Sequence, residues 1–306
     1  KNLEIRNPFG WVPIEPYLQT IKEHGKPEIC ILDYPNLLEY ARYNRENDIL
    51  TFYCAHNLEF VNGIAHQADG KVARAKSAIQ WAAELEFINL CHERMMISRL
   101  ETHTLRGLGF TAEYYPYIPV SQIRDRLLHI REGRTRNALE KGLFLMVGSI
   151  FHRPTGEGFR WFLENVRQNR LPVGVRLVVG GRGGEQLASE FGQLPGVEIK
   201  GRIDQAELDA LLGKASGMII PQRSGFGAVT RIAEMACAGI PVLTTDHAVM
   251  SMQPPPGLQV AAAGWSDWTA AINLAGEYPL ANTIEEYEAW EASQPNPLKR
   301  ALERCL

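Results

Sequence analysis

What most constrains this chain is an alternation that runs from end to end, in which short continuous apolar runs are separated by segments of helical period. In the first half the runs "EICILD" (28–33), "DILTFYCA" (48–55) and "RMMIS" (94–98) predict strands, and helices are expected near 35–43, 70–91 and 99–107. In the second half the predicted strands are "LFLMVG" (143–148), "VRLVVG" (175–180), "VEIKG" (197–201), "GMIIP" (217–221) and "PVLTT" (241–245). Helices are expected between them, at about 156–169, 185–192, 205–214 and 228–238. Strand and helix in alternation imply parallel sheets with helical crossovers. Runs that are apolar throughout imply strands covered on both faces. The fold class is therefore α/β, as two doubly wound domains facing each other across a cleft.

The change of domain is placed in the polar, helix-prone stretch "IREGRTRNALEKG" (130–142). That gives an N-terminal domain over 1–140, a second domain over 141–281, and a tail over 282–306. The tail holds an acidic helix, a "QPNP" break (294–297) and a short basic helix, and is expected to pack back on the first domain.

Bulk properties exclude several classes. At 306 residues the chain has room for two domains. A net charge of −3 argues against a nucleic-acid-binding surface. The five cysteines are scattered without a C-x-x-C pair, as in a protein with reduced thiols, so a cytoplasmic location is expected. No apolar run approaches the roughly 18 residues of a membrane span, and no signal peptide heads the sequence. Association with the inner face of a membrane stays compatible with this.

The predicted strand exits carry the chemistry. "VGSIFHRPTGEG" (147–158), "VGGRGGE" (179–185) and "KGRIDQ" (200–205) are rich in glycine or basic residues. A fourth exit leads into "SGFGAVTRIAEMACAGIPVLTTD" (224–246). Glycine lets backbone approach a ligand closely. A helix N terminus offers free N–H groups and partial positive charge, which suit phosphate. Gly225 and Gly227 therefore read as a diphosphate cradle, or else as a tight turn with small residues for packing. Glu234 lies seven residues after Gly227, about 10 Å along a helix. A carboxylate there matches the reach from a diphosphate to the hydroxyls of a nucleoside ribose. The alternative is an exposed helical Glu paired with Arg231.

In this order the segments resemble the donor-binding domain of the GT-B glycosyltransferases, most of all the large retaining, family-four-like group that uses nucleotide-activated sugars. The resemblance rests on the motifs just quoted over 143–250, ending in "MACAGIPV". It implies two Rossmann-like domains. It also implies a hexosyl transfer from a nucleoside diphosphate sugar, with UDP-glucose the first expectation, to a hydroxyl acceptor on a glycan or lipid-linked intermediate, as in polysaccharide synthesis. Carried over residue by residue, Gly148, Ser149 and the turn of Gly225, Phe226, Gly227, Ala228 and Val229 approach the donor diphosphate, with Arg153 and Arg231 expected to supply positive charge beside it. Glu234 binds the ribose, and Gly201, Arg202 and Ile203 lie against the base. In the first half "FYCAHNLEF" (52–60) is similar to the strand-end His-Asn-x-Glu of the group, which makes His56 the residue facing the transferred sugar. "SRLE" resembles its S-x-x-E turn, at Ser98 and Glu101.

The chain departs from the pattern in three places. Many relatives carry a sugar-gripping Glu eight residues before the second one, whereas here Ser224 precedes "GFG" and lies ten residues before Glu234. Ser149 and Pro154 stand where an Arg and a Lys are common, leaving His152, Arg153, Arg182 or Arg231 to neutralise phosphate. The Gly-rich acceptor loop with which the family usually begins does not stand at Lys1, so a missing start is expected.

No D-x-D occurs and no Cys/His cluster suggests zinc, so no metal and no cofactor are expected. Three other readings stay open. One is a nucleotide-sugar epimerase or phosphorylase of the same fold. Another is a catalytically silent sugar-nucleotide-binding subunit. The third is a nicotinamide enzyme, suggested by Asp246 lying 19 residues after Gly227 but weakened by Thr230 where a third glycine belongs.

Overall fold

The computed structural model describes residues 12–61, 71–136, 138–261, 264–275 and 280–305. The chain divides into two units. The first comprises Lys1–Pro116, Phe226–Ala228 and Pro295–Leu306, and the second Tyr117–Gly225 and Val229–Gln294.

The first unit is built on a parallel sheet of four strands, β1 (Ile29–Leu32), β2 (Leu50–Ala55), β3 (Glu93–Met96) and β4 (Glu113–Tyr114), in the spatial order β1-β2-β3-β4. Successive side chains of a strand point to opposite faces, and here each face has its own core. Tyr53 and Met96 pack with Leu38, Ala41, Phe87 and Leu105 from helices 38–46, 71–90 and 99–107. Their neighbours Phe52 and Met95 pack against Ala301, Leu298 and Leu302 of the C-terminal helix Pro297–Cys305. That spacing of apolar residues gives this helix a single buried stripe. Arg300 and Arg304 at its rim pair with Glu113 and Glu93.

The second unit holds six parallel strands: β5 (Leu143–Val147), β6 (Arg176–Gly180), β7 (Val197–Ile199), β8 (Gly217–Ile220), β9 (Val242–Thr245) and β10 (Leu258–Ala261). Their spatial order is β10-β9-β8-β5-β6-β7. Leu143 and Leu145 of β5 face one core and Phe144 and Met146 the other, so both faces are covered. Each strand predicted from its apolar run is present to within about two residues at either end.

The domain boundary differs from the expectation. Residues 121–136 form a helix whose Leu127 and Ile130 enter the core of the second unit, so the change of unit falls between Pro116 and Tyr117 and not near 140. The polar look of 130–142 misleads because two of its arginines are buried caps. Arg131 donates to the carbonyls of Ala236 and Cys237, both at 2.8 Å, and to Asn282. Arg134 donates to the carbonyls of Leu212 and Ala215, both at 2.7 Å. These carbonyls lie at the C-terminal ends of helices 230–237 and 205–214, with Ala215 the C-cap of the second, where the last turn leaves carbonyls without an i+4 donor inside the helix. Burial lowers the pKa of both guanidinium groups, that of Arg134 to about 10.

The tail is likewise divided. Helix Ile284–Ala292, closed by a capping box at Thr283 and Glu286, buries Tyr287 in the second unit, and only the part from Pro295 belongs to the first. Its last residue, Leu306, lies outside the described residues, as does the start of the predicted helix at 70.

Candidate functional site

From β5 the chain of the second unit winds outward through β6 and β7, then returns to the other side of β5 for β8, β9 and β10. Numbered from β5, that is the order 3-2-1-4-5-6, in which ligands bind beyond the carboxyl ends of the strands where the winding reverses. The reversal lies between β5 and β8. Their exits carry Gly148 and Gly225, two of the glycines singled out from sequence.

Both exits are crowded by basic and polar side chains. Gly225 has φ +91°, and a Cβ there would lie 2.9 Å from the ring of Pro154, at the start of helix Arg153–Asn169. The Gly225 carbonyl accepts a 2.6 Å hydrogen bond from Nε2 of His247. A Cβ on Gly148 would meet Nη1 of Arg231 at 2.4 Å. Arg231 donates from Nη1 to the Val147 carbonyl and from Nη2 to Thr155 Oγ1 at 3.4 Å. Burial lowers its pKa, and the nearby Glu234 acts in the opposite direction. Half-buried Ser149 follows on the same exit. Arg153 pairs with Glu157 at 2.6 Å, and Ser224 donates to the other oxygen of the same carboxylate at 2.8 Å.

Helix Thr230–Cys237, which follows Val229, has no side-chain hydrogen bond at its N-cap. The same holds for helix 153–169 after β5 and helix 184–191 after β6. Helices 205–214 and 284–292 are closed by Asp204 and Thr283. In the second unit the three helices that start near the exits of β5, β6 and β8 thus lack a side-chain cap, as do helices 15–24 and 38–46 of the first unit.

Glu234 projects from the second turn of its helix, and its Oε1 accepts a 2.9 Å hydrogen bond from the hydroxyl of Tyr117. Burial, then the adjacent carboxylate, raises the pKa of the Tyr117 phenol, which keeps it a donor.

The glycines of "VGGRGGE" serve packing. A Cβ on Gly180 would strike Ile203 at 2.2 Å, on Gly181 the Gly148 carbonyl oxygen at 2.2 Å, and on Gly184 the Lys200 carbonyl oxygen at 2.0 Å. They draw the exits of β5, β6 and β7 together. Gly201 accepts from the Gly181 N–H at 2.9 Å and lies over Glu185, Ile203 covers Gly180, and Arg202 is exposed.

The remaining predicted residues belong to the first unit. His56 follows β2, half-exposed, with Nε2 3.7 Å from Oδ2 of Asp33 at the end of β1 and its ring 5.5 Å from that of Tyr34. Phe226, Gly227 and Ala228 are grouped there too. The Phe226 carbonyl accepts from Ser98 Oγ at 2.6 Å, and a Cβ on Gly227 would lie 2.2 Å from Asn57 Oδ1. Two buried carboxyls hold the turn after His56. Glu101 accepts from the Leu58 N–H at 2.8 Å, and Glu84 from those of Glu59 and Phe60 at 2.9 and 2.6 Å. Burial pushes Glu101 up to about 7 and Glu84 up to about 8.

Asp33, Glu157, His247 and Tyr117 were not singled out from sequence. Asp33 closes a predicted strand and Glu157 stands four residues after Arg153, so both carried a local signal. Tyr117 carried none, since 117 residues separate it from its partner. Among the described residues no cluster of three or more His, Cys, Asp or Glu is placed to hold a metal, and no helix is long and apolar enough to cross a membrane.

Residues 141–274 match the family described as "Glycosyl transferases group 1". No curated protein matches the chain. Among solved structures the chain is similar to the sucrose-phosphate synthase of Thermosynechococcus elongatus, with a TM-score of 0.66 at 18% identity, over 96% of this chain and 78% of that one. It is also similar to Anabaena HepE in complex with UDP and glucose, with a TM-score of 0.62 at 12% identity, over 90% and 75%. A third is the catalytic domain of starch synthase IV from Arabidopsis thaliana bound to ADP and acarbose, with a TM-score of 0.56 at 11% identity, over 89% and 70%. Residues 141–274 thus match glycosyl transferases group 1, and the chain as a whole has the GT-B fold that these structures share.

Proposed function

We propose that the chain transfers a hexosyl unit from a nucleoside diphosphate sugar to a hydroxyl acceptor, with retention of anomeric configuration. The observation that carries this is the reversal of winding between β5 and β8, at which a helix with no side-chain cap begins and presents a carboxylate in its second turn. In this reading the diphosphate lies against Gly148, Ser149 and the Gly225–Val229 turn. Arg153 and Arg231 supply positive charge, and the first N–H groups of helix 230–237 supply donors. Such preorganised donors stabilise the charge that develops on the departing diphosphate. Glu234 takes the ribose hydroxyls, and Gly201, Arg202 and Ile203 border the base. His56, steadied by Asp33, is assigned to the transferred sugar.

The uridine nucleotide with glucose is the first donor to test, supported by the UDP and glucose bound to the HepE relative. A glycan or lipid-linked acceptor, a cytoplasmic location and use at the inner face of a membrane complete the proposal. It assigns no metal and no cofactor, since no D-x-D stands in the sequence and basic groups and a helix N terminus take that load.

The test is calorimetry with UDP, ADP and GDP on the unsubstituted chain and on Glu234→Ala. Loss of the carboxylate is expected to weaken nucleoside diphosphate binding by about 1.5–3 kcal/mol, the worth of hydrogen bonds to a charged group. Unchanged affinity would remove Glu234 from the site.

A further inference from the structure

We propose that Tyr117 is a positioning residue that fixes the carboxylate of Glu234 for the ribose, and so sets how strongly the site distinguishes a nucleotide that has ribose hydroxyls from one that lacks them. This rests on the ribose reading of Glu234 given above.

A glutamate on a helix surface has three side-chain torsions to settle, and binding a diol costs the entropy of settling them. Here one oxygen is already held. Tyr117 donates to Oε1 at 2.9 Å, and among the described residues it is the only side-chain donor to Glu234. The alternative partner, Arg231, is turned away onto the Val147 carbonyl and Thr155. An ionised carboxylate has about four acceptor sites on its two oxygens. One bond from Tyr117 therefore leaves Oε2 and the second lone pair of Oε1 for the two ribose hydroxyls.

Tyr117 is itself well anchored. It stands in "YYPYIPV" (114–120) between Pro116 and Pro119, both buried. Each proline fixes its own φ and restricts the residue before it, so the loop has few conformations to lose. The phenol is thus presented to Glu234 on a stiff segment without help from a helix or strand. It is also the first residue of the second unit, directly after the change of unit at Pro116.

The experiment compares the affinity of UDP with that of 2′,3′-dideoxyuridine diphosphate, on the unsubstituted chain, Tyr117→Phe, Glu234→Ala and the double variant. Taking the ratio of the two affinities on one sample cancels any loss of folded protein. A net hydrogen bond of about 0.5–1.5 kcal/mol corresponds to about 2–10-fold. Tyr117→Phe is expected to lower the preference for UDP by that factor while leaving the dideoxy nucleotide's affinity unchanged. Glu234→Ala is expected to abolish the preference, and adding Tyr117→Phe to it should change nothing further. If Glu234→Ala abolishes the preference and Tyr117→Phe leaves it intact, the Tyr117 proposal is overturned and the ribose reading stands. Equal loss for both nucleotides in Tyr117→Phe assigns the tyrosine a packing role and also overturns it. If the preference survives Glu234→Ala, or UDP does not bind the unsubstituted chain, the ribose reading falls and this proposal with it.

Discussion

Replacing Gly181 by alanine tests whether the β5 and β6 exits are as close as the structure has them. Gly181 has φ +128°, and its added methyl would lie 2.2 Å from the Gly148 carbonyl oxygen, 2.8 Å from its carbon and 3.1 Å from its nitrogen. Ordinary contact begins at 3.4 Å, so the nearest atom is about 1.2 Å too close. Because the obstacle is backbone, no side-chain rotation relieves the overlap. Opening the gap strains the 3.0 Å bond from the Gly148 N–H to the Gly180 carbonyl and the 2.9 Å bond from the Gly181 N–H to the Gly201 carbonyl. The unfavourable backbone region costs about 1–2 kcal/mol, and each weakened hydrogen bond about 1 kcal/mol. The expected loss is therefore about 3–4 kcal/mol, or roughly 6–15 °C in the melting of a unit of this size. Gly174→Ala is the matched control. It has φ +80° with nothing within 4 Å of its added methyl, so it carries only the backbone cost of about 1–2 kcal/mol. Thermal melts followed by circular dichroism compare the two. If Gly181→Ala melts no lower than Gly174→Ala, the close approach of the two exits is refuted.

Glu101 gives a pH prediction for the first unit. Burial lifts it to about 7 from the ordinary glutamate range near 4.3, so the folded chain keeps a proton that the unfolded chain has lost between those values. Stability then falls as pH rises across that window, by up to about 3 kcal/mol. Glu101→Gln keeps the acceptor for the Leu58 N–H and should flatten that fall in urea titrations, whereas an unchanged slope would show that Glu101 is ionised in the fold. His56→Ala should lower kcat by roughly 10²-fold with UDP affinity nearly unchanged, while a lower melting temperature with normal kcat would make His56 structural. Turnover should persist in excess EDTA, and loss that Mg²⁺ or Mn²⁺ restores would mean that a metal carries the diphosphate charge.

The parallel sheets were legible because strands covered on both faces are apolar at every position and their crossovers keep helical period. The second unit's strand runs, its glycine-marked exits and the helix bearing Glu234 all stood in the sequence. What escaped was set by distant partners. Helix 121–136 looked like a linker because Arg131 and Arg134 are charged, and only the folded chain shows them buried against helix-end carbonyls. The short helix 246–250, strand 258–261 and helix 265–275 had too little length or periodicity to stand out. The glycines at 180, 181 and 184 were seen, but not the neighbouring groups that an added Cβ there would strike. A glycine that admits a ligand and one that admits a neighbouring strand look alike until the neighbour is in place.

Hydrogen exchange with and without UDP tests the central claim most directly. The claim is that a nucleoside diphosphate sugar is bound through its nucleotide beyond the β5 and β8 exits of the second unit. UDP should slow exchange in the segments around 148–156, 201–203 and 229–236, with the clearest protection in the first turn of helix 230–237, and Glu234→Ala should erase it. Protection confined to β1–β4, or absent from both the β5 exit and helix 230–237 at a UDP concentration shown to bind, would contradict the account.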